Sequence, residues 1–186
     1  MVRAGAEAGS IAVAVFVIAP LLLKESDAAW IGGLRRTYDP HAGFIPPHVT
    51  LVFGLDDAME ARAVTWTRTC ARGSAPGTLR YMRVAVTRDY ENSAWYLFLM
   101  PREIPPGLAE LHRRLNSGAL ADAPEVGLDG HTTLGRFNER VLAEAVARDA
   151  NNEGIRIEAR FDTLRVVRFD GSAVQSSTDI TLGGMA

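Results

Sequence analysis

Two tetrapeptides carry residue types that can move protons and hold anions: His48-Val49-Thr50-Leu51 and His131-Thr132-Thr133-Leu134, whose histidines lie 83 positions apart (131 − 48). In an extended strand, alternate side chains project to opposite faces. The His and Thr of each phrase therefore share a face, and the residue between them turns away. Imidazole is the side chain whose unperturbed pKa lies nearest neutrality, and a hydroxyl can donate a hydrogen bond to an anionic oxygen. Two such pairs facing each other could grip a phosphate and exchange protons with it from both sides. The rest of the chain must bring them together.

Pro46-Pro47 favours extended backbone on the approach to His48. The first phrase therefore opens a strand over 48–53, with His48, Thr50 and Val52 on one face, Val49, Leu51 and Phe53 on the other, and Gly54 ending it. Before it, the Val- and Ile-rich segment 10–18 reads as a strand buried on both faces. Residues 21–38 read as a helix with apolar Leu22, Leu23, Ala29, Trp30 and Leu34, and 39–47 as a loop. After it come a helix over 58–72 capped by Asp56 or Asp57, a hairpin of strands 78–87 and 93–100 around the polar turn 88–92, and a helix over 106–116. The second phrase lies in a strand over 130–136. A helix over 139–150 capped by Asn138 follows, then strands 155–162, 163–170 and 173–182.

Shifted by 83 residues, this reading superposes on itself: strand on strand, helix on helix, phrase on phrase. With two residues of slack, Thr78-Leu79-Arg80-Tyr81-Met82-Arg83 also meets Thr163-Leu164-Arg165-Val166-Val167-Arg168. Two copies of so long a unit are not a solenoid. They imply two similar lobes, from the repeats 10–88 and 93–170 with strand 173–182 appended, related by an approximate twofold axis. Both lobes are needed for one site, so a single domain over 1–186 is expected.

Bulk properties narrow the function. At 186 residues and 20.1 kDa, with 47% hydrophobic and 23% charged residues, the chain can bury a proper core. A net charge of −2 and a pI near 6.1 speak against duplex DNA as a partner, since that affinity rests on neutralising many phosphates with Lys and Arg. The single Cys70 excludes an intramolecular disulfide and a cysteine zinc cluster, which favours a reducing, cytoplasmic setting. The apolar run 11–23 contains Pro20 and is shorter than the roughly 17–25 residues a membrane-spanning helix needs, so no membrane association is expected. Arg3 before that run raises the alternative of a secretory signal, but Gly5, Glu7, Gly9 and Ser10 make a poor start and no small-x-small cleavage site follows. A buried strand is the better reading.

The paired His-x-Thr-Leu phrases, each beginning a strand and followed by a helix, resemble the two-histidine (2H) phosphoesterase superfamily, which includes RNA 2′,5′-ligase-like proteins and 2′,3′-cyclic nucleotide phosphodiesterases. The resemblance implies an α+β, bilobed fold: two antiparallel sheets flanked by helices, related by a pseudo-twofold, with His48, Thr50, His131 and Thr133 lining the cleft between them. It implies hydrolysis of 2′,3′-cyclic phosphates on nucleotides or RNA ends, with release of a 2′-phosphate. In such a reaction one histidine is a neutral general base and the other a protonated general acid, in an order the symmetry leaves open, while the threonines hydrogen-bond the non-bridging oxygens. Neither a metal nor another cofactor is expected, and the expected protein is a monomer acting on a small nucleotide or RNA-end substrate. Two alternatives stand: cleavage or ligation of 2′,5′-linked oligonucleotides, and a non-catalytic nucleotide-binding module, which the intact His and Thr in both copies disfavour.

Other residues are secondary candidates. Arg136 could hold a phosphate, but strict alternation turns it from the His131 face unless a bulge at Gly135 intervenes. Phe44 and Tyr38, near the mouth implied by the first phrase, could stack on a base. His41 could approach the cleft, His112 reads as a solvated helix residue, and a metal site built from His41, His48 and His131 lacks clustered ligand spacing. Arg80, Arg83, Arg165 and Arg168 read as strand-surface charges. The repeats differ most in the loops 39–47 and 117–130, where substrate choice is expected to reside.

Overall fold

The chain folds into two four-stranded antiparallel sheets. β1, Ala14–Pro20, is a Val/Ile/Ala run whose Val15, Val17, Ile18 and Ala19 are all buried, as a strand with neighbours on both sides requires. It pairs antiparallel with β2, His48–Asp56, on one edge and β7, Thr163–Phe169, on the other, and β8, Val174–Thr181, completes the sheet in the order β2-β1-β7-β8. The second sheet, β5-β4-β3-β6, is centred on β3, Gly77–Asp89, and β4, Ala94–Pro101, with β5, Thr132–Phe137, and β6, Ile157–Phe161, outside them. The computed structural model describes residues 13–89, 93–124 and 127–183. The first three residues of the expected opening strand, the signal-like start before them and the tip of the β3–β4 turn lie outside these.

The two sheets correspond in strand order as the repeat implies, β2-β1-β7 matching β5-β4-β3, but the lobes do not coincide with the repeats. β3 ends the first repeat and lies in the sheet of β4 and β5, whereas β7 ends the second and lies beside β1. The matching Thr-Leu-Arg strands are the pair exchanged. The helices follow the same crossing. α1, Glu25–Tyr38, packs on β5 and α3, Pro106–Leu115, on β2; α2, Glu60–Ala71, covers β7, β8 and β1, while α4, Arg140–Asn152, covers β3, β4 and β5.

Several local boundaries differ from the sequence reading. Residues 21–24 are extended: Leu21 N donates to Pro47 O at 2.9 Å, and Leu22 exchanges backbone hydrogen bonds with Arg160 at 2.8 and 3.0 Å. The helix waits for Glu25, where Glu25 and Asp27 place negative charge in its first turn. Gly54, at φ +58°, bulges β2 rather than ending it: Val15 faces Leu55 and Val17 faces Val52, and the strand runs on to Asp56. The Asp56 carboxylate accepts the Ala58 amide at 2.9 Å and starts the 3₁₀ turn leading into α2. α4 is preceded by Glu139, with no side-chain cap, instead of by Asn138.

Candidate functional site

The alternation expected of the two phrases holds through their first four residues. Val49, Leu51, Thr132 and Leu134 are buried behind the strands, and His48, Thr50, His131 and Thr133 line a cleft of about 500 Å³ between the sheets. Neither threonine hydroxyl has a protein hydrogen-bond partner among the described residues, so both remain available to a ligand.

Beyond each threonine the strict alternation fails in the same way. Ile18 faces Thr50 and Val17 faces Val52; likewise Phe98 faces Thr133 and Leu97 faces Gly135. One step on the inner strand therefore spans two on the motif strand, which is a bulge. Leu51 and Val52 both turn to the back, as do Leu134 and Gly135, and the third residue after each threonine returns to the cleft. Those residues are Phe53 and Arg136, opposite Phe16 and Tyr96. This corrects the assignment of Val52 to the cleft and Phe53 to the back, and it brings in Arg136, which simple parity had turned away. Gly135 faces α1, where a Cβ would lie 2.6 Å from Tyr38 Cβ; only glycine permits that approach. The cleft is thus symmetric at its His and Thr residues and asymmetric beside them, with the Phe16–Phe53 edge-to-face pair in one half and Arg136 with Tyr96 in the other.

The two imidazoles are held differently. His48 Nδ1 lies 2.7 Å from Pro46 O, an atom that can only accept, so Nδ1 carries the proton and Nε2 keeps a lone pair. Burial pushes the His48 pKa down to about 4; the Pro46 carbonyl and Asp39 pull it back in part, and the charges of Arg35 and His131 lower it further. The ring is neutral at physiological pH. His131 Nδ1 instead lies 2.5 Å from Asp129 Oδ1, which also accepts the His131 backbone N–H at 3.1 Å. Burial raises the Asp129 pKa, but the bonds from His131 outweigh it and hold the carboxyl below its usual range, as an anion. The His131 ring stacks on Phe98, with centroids 3.8 Å apart and planes at 18°.

Two further networks position these rings. Arg35 and Asp39, both nearly inaccessible, form an ion pair at 2.8 Å; Arg35 Nη2 also donates to Ile45 O, and Asp39 Oδ1 accepts the His41 amide. The loop 39–47 is thereby pinned on both sides of the bend that presents Pro46 O to His48. Behind the cleft, Thr132 Oγ1 donates to His48 O at 3.1 Å and meets Tyr81 OH at 3.0 Å, while Tyr81 OH also reaches Gly130 O at 3.2 Å. The two motif strands are joined there by side chains the motif does not include. Asp129, Arg35, Asp39 and Thr132 were not singled out from the sequence. Asp129 alone carried a hint, standing two residues before His131.

The remaining candidates fall outside the cleft or at its edge. Tyr38 packs on Phe137, with centroids 4.8 Å apart, beneath Gly135, and does not reach the cleft. Phe44 is 47% exposed at the outer rim, 6.2 Å from the cleft residue Phe169. His41 does line the cleft, edge-on to Phe169 at 5.1 Å. His112 lines a side pocket of about 40 Å³ behind β2, together with Asn116, Asp129 and His131. Arg80, Arg165 and Arg168 pair with Glu158, Asp179 and Asp57 on the surface. Among the described residues no group of three or more His, Cys, Asp or Glu is placed to hold a metal ion, and no helix is long and apolar enough to cross a membrane.

Over residues 23–173 the chain matches the 2'-5' RNA ligase superfamily. It belongs to that superfamily. Among curated relatives within reach of its sequence are two Bacillus proteins, each named "Putative phosphoesterase". The one from Bacillus licheniformis is 28% identical over 128 residues, which is 65% of this chain and 73% of that protein. The one from Bacillus cereus is 30% identical over 106 residues, 56% of this chain and 59% of that one, so the match spans little more than half of the latter's length. Solved structures show the superfamily fold again. Escherichia coli LigT complexed with 3'-AMP aligns with TM-score 0.52 at 18% identity, covering 91% of this chain and 98% of LigT. Kluyveromyces marxianus Usb1 aligns with TM-score 0.56 at 15% identity, covering 93% and 99%. The fold is therefore shared with LigT and Usb1, and the superfamily together with the relatives' names points to a phosphoesterase-type enzyme.

Proposed function

We propose that this protein hydrolyses 2′,3′-cyclic phosphates of nucleotides or RNA ends without a metal ion, by proton transfer between two histidines. The observation that carries the reading is the pair of His-x-Thr phrases on facing strands, each presenting an imidazole and a hydroxyl to one cleft, with the two Nδ1 atoms bonded to chemically different partners. His48, neutral and with Nε2 unprotonated, suits the general base that takes a proton from the attacking water. His131, whose Nδ1 is bonded to the Asp129 carboxylate so that Nε2 faces the cleft, suits the general acid that protonates the departing ribose oxygen. The different partners support this order of roles, which the symmetry of the sequence left open. Thr50 and Thr133 would hydrogen-bond the non-bridging oxygens, Arg136 would add positive charge on the same side, and the Phe16–Phe53 half offers an apolar face to a base. That E. coli LigT has been crystallised with 3'-AMP, NADP+ and ATP, and K. marxianus Usb1 with uridine monophosphate, supports a nucleotide in this cleft.

The test is turnover of 2′,3′-cyclic mononucleotides, beside a 2′,5′-linked dinucleotide, in the presence of a chelator, with His48→Ala and His131→Ala. Each substitution should lower kcat by about 10²–10⁴-fold, and the product should carry a 2′-phosphate. Preferential cleavage of the dinucleotide would move the assignment to 2′,5′ linkages. Binding without turnover would make the protein a nucleotide-binding module. Activity surviving in both alanine variants would remove the mechanism.

A further inference from the structure

The acid and base roles rest on what lies behind each ring, and behind His131 that is Asp129. We propose that Asp129 is a positioning residue for the leaving-group side of the reaction: it keeps the proton of His131 on Nδ1 between the two residues, so that Nε2 is the nitrogen that delivers a proton to the departing oxygen. The proposal rests on the hydrolytic reading above.

Three observations converge on it. Asp129 holds His131 through two atoms of the same residue, taking both the ring Nδ1–H and the backbone N–H on one carboxylate oxygen. That chelate fixes ring orientation as well as tautomer, and Phe98 limits rotation from the other face by stacking on the ring. Phe98 also presents a π-face to the positive charge that the acid must carry before it acts. The corresponding position in the other repeat lacks an acid: two residues before His48 stands Pro46, whose carbonyl takes the equivalent ring proton. A carbonyl dipole fixes a tautomer without bringing a formal charge to the ring. The same offset from each histidine thus holds a neutral acceptor in one repeat and a charged one in the other.

In the step itself, the attacking water's oxygen bonds to phosphorus as its proton passes to His48 Nε2. The bond from phosphorus to the ribose oxygen breaks, its electron pair stays on that oxygen, and the Nε2 proton of His131 completes the new hydroxyl. The Nδ1 proton never leaves the His131–Asp129 pair. Aspartate in such a position does not take the proton itself; it orients the ring and stabilises the cation. Asp129 is half exposed and one side of the pair faces the small pocket shared with Asn116 and His112, so its effect should be smaller than that of a fully buried aspartate.

The leaving group separates positioning of the acid from a general structural role. A ribose alkoxide needs a proton to depart; 4-nitrophenolate does not. With 2′,3′-cyclic AMP, Asp129→Asn and Asp129→Ala should lower kcat by about 10–10²-fold with little change in KM. With bis(4-nitrophenyl) phosphate the loss should be less than about 3-fold, and Asp129→Glu should recover part of the activity on the cyclic substrate. ¹⁵N NMR of the histidine rings, which needs no turnover, should show neutral His131 as the Nδ1–H tautomer in the parent protein and a shift toward Nε2–H in Asp129→Ala. Equal losses on both esters, or one tautomer in both proteins, would overturn the proposal. A parent protein that hydrolyses neither ester while the tautomer contrast persists would overturn the hydrolytic reading and uphold the placement of the proton.

Discussion

The low pKa of His48 links the cleft to the stability of the whole fold. A histidine that stays neutral in the folded chain down to about pH 4, but takes up a proton near 6.5 when unfolded, makes the unfolded state bind more protons between those values. Its contribution is fully present above pH 6.5 and is lost as the pH falls toward 4. Between pH 7.5 and 5.0 the linkage relation gives a ceiling of about 2 kcal/mol for this one group. The ring keeps an edge in the open cleft, where solvent screens it, so about 1 kcal/mol is the expected size. The perturbation is His48→Gln, which removes the titration and keeps an amide able to donate to Pro46 O. Urea unfolding of both proteins at pH 7.5 and 5.0 reads the difference. With a slope of about 2 kcal/mol per M, the parent midpoint should fall by about 0.5 M more than that of the variant. Depressed carboxyls such as Asp170, held at about 2 by bonds from Ser172 and Ala173, contribute stability that disappears only below their ordinary range and stay out of this window. Parallel losses of stability in the two would refute the claim that burial in the cleft holds His48 neutral.

Two packing predictions concern the back of the site. Gly135→Ala places a Cβ 2.6 Å from Tyr38 Cβ and 3.4 Å from Tyr38 O, atoms that cannot rotate away, so α1 must move and stability should fall by about 1–3 kcal/mol; an unchanged calorimetric Tm would contradict the close approach. Thr132→Val keeps the shape of the side chain but removes the donor to His48 O, and should destabilise by about 1–3 kcal/mol in urea. A change below about 0.5 kcal/mol would mean that this carbonyl finds another partner.

Legibility in the sequence followed the range of each interaction. His48, Thr50, His131 and Thr133 could be placed on one cleft because strand alternation is a property of each chain segment by itself. The bulges after Thr50 and Thr133 could not be placed, since a bulge exists only relative to the strand it pairs with. Phe53 and Arg136 therefore changed faces. Arg136 shows the point sharply: the required bulge could be stated in advance, but only the register opposite Leu97 and Phe98 decides that it occurs. The repeat was readable from Thr78-Leu79-Arg80 and Thr163-Leu164-Arg165, yet strands so alike carry no mark of which sheet receives them. Leu22 and Leu23 fitted a helical apolar stripe, but the backbone of Leu22 pairs with Arg160, far along the chain. Asp129 stands two residues before His131 in the chain, but that spacing alone does not bring a carboxylate onto the ring; the 2.5 Å contact does.

The exchange of β3 and β7 also governs how the chain can reach this state. Ala14 is partnered by Phe169, 155 residues away (169 − 14), so the strand at the middle of the first sheet keeps an open edge until nearly all of the chain is available. Neither half can complete a sheet from its own residues, and α2, made early, has its main packing surface on β7 and β8, made last. Such long-range closure belongs to the slow end of folding rates and leaves β1 exposed to other strands in the interval. The strands that carry His48 and His131 pair within their own repeats, β2 on β1 and β5 on β4, so what the exchange completes is the far side of each sheet, on which those pairs rest.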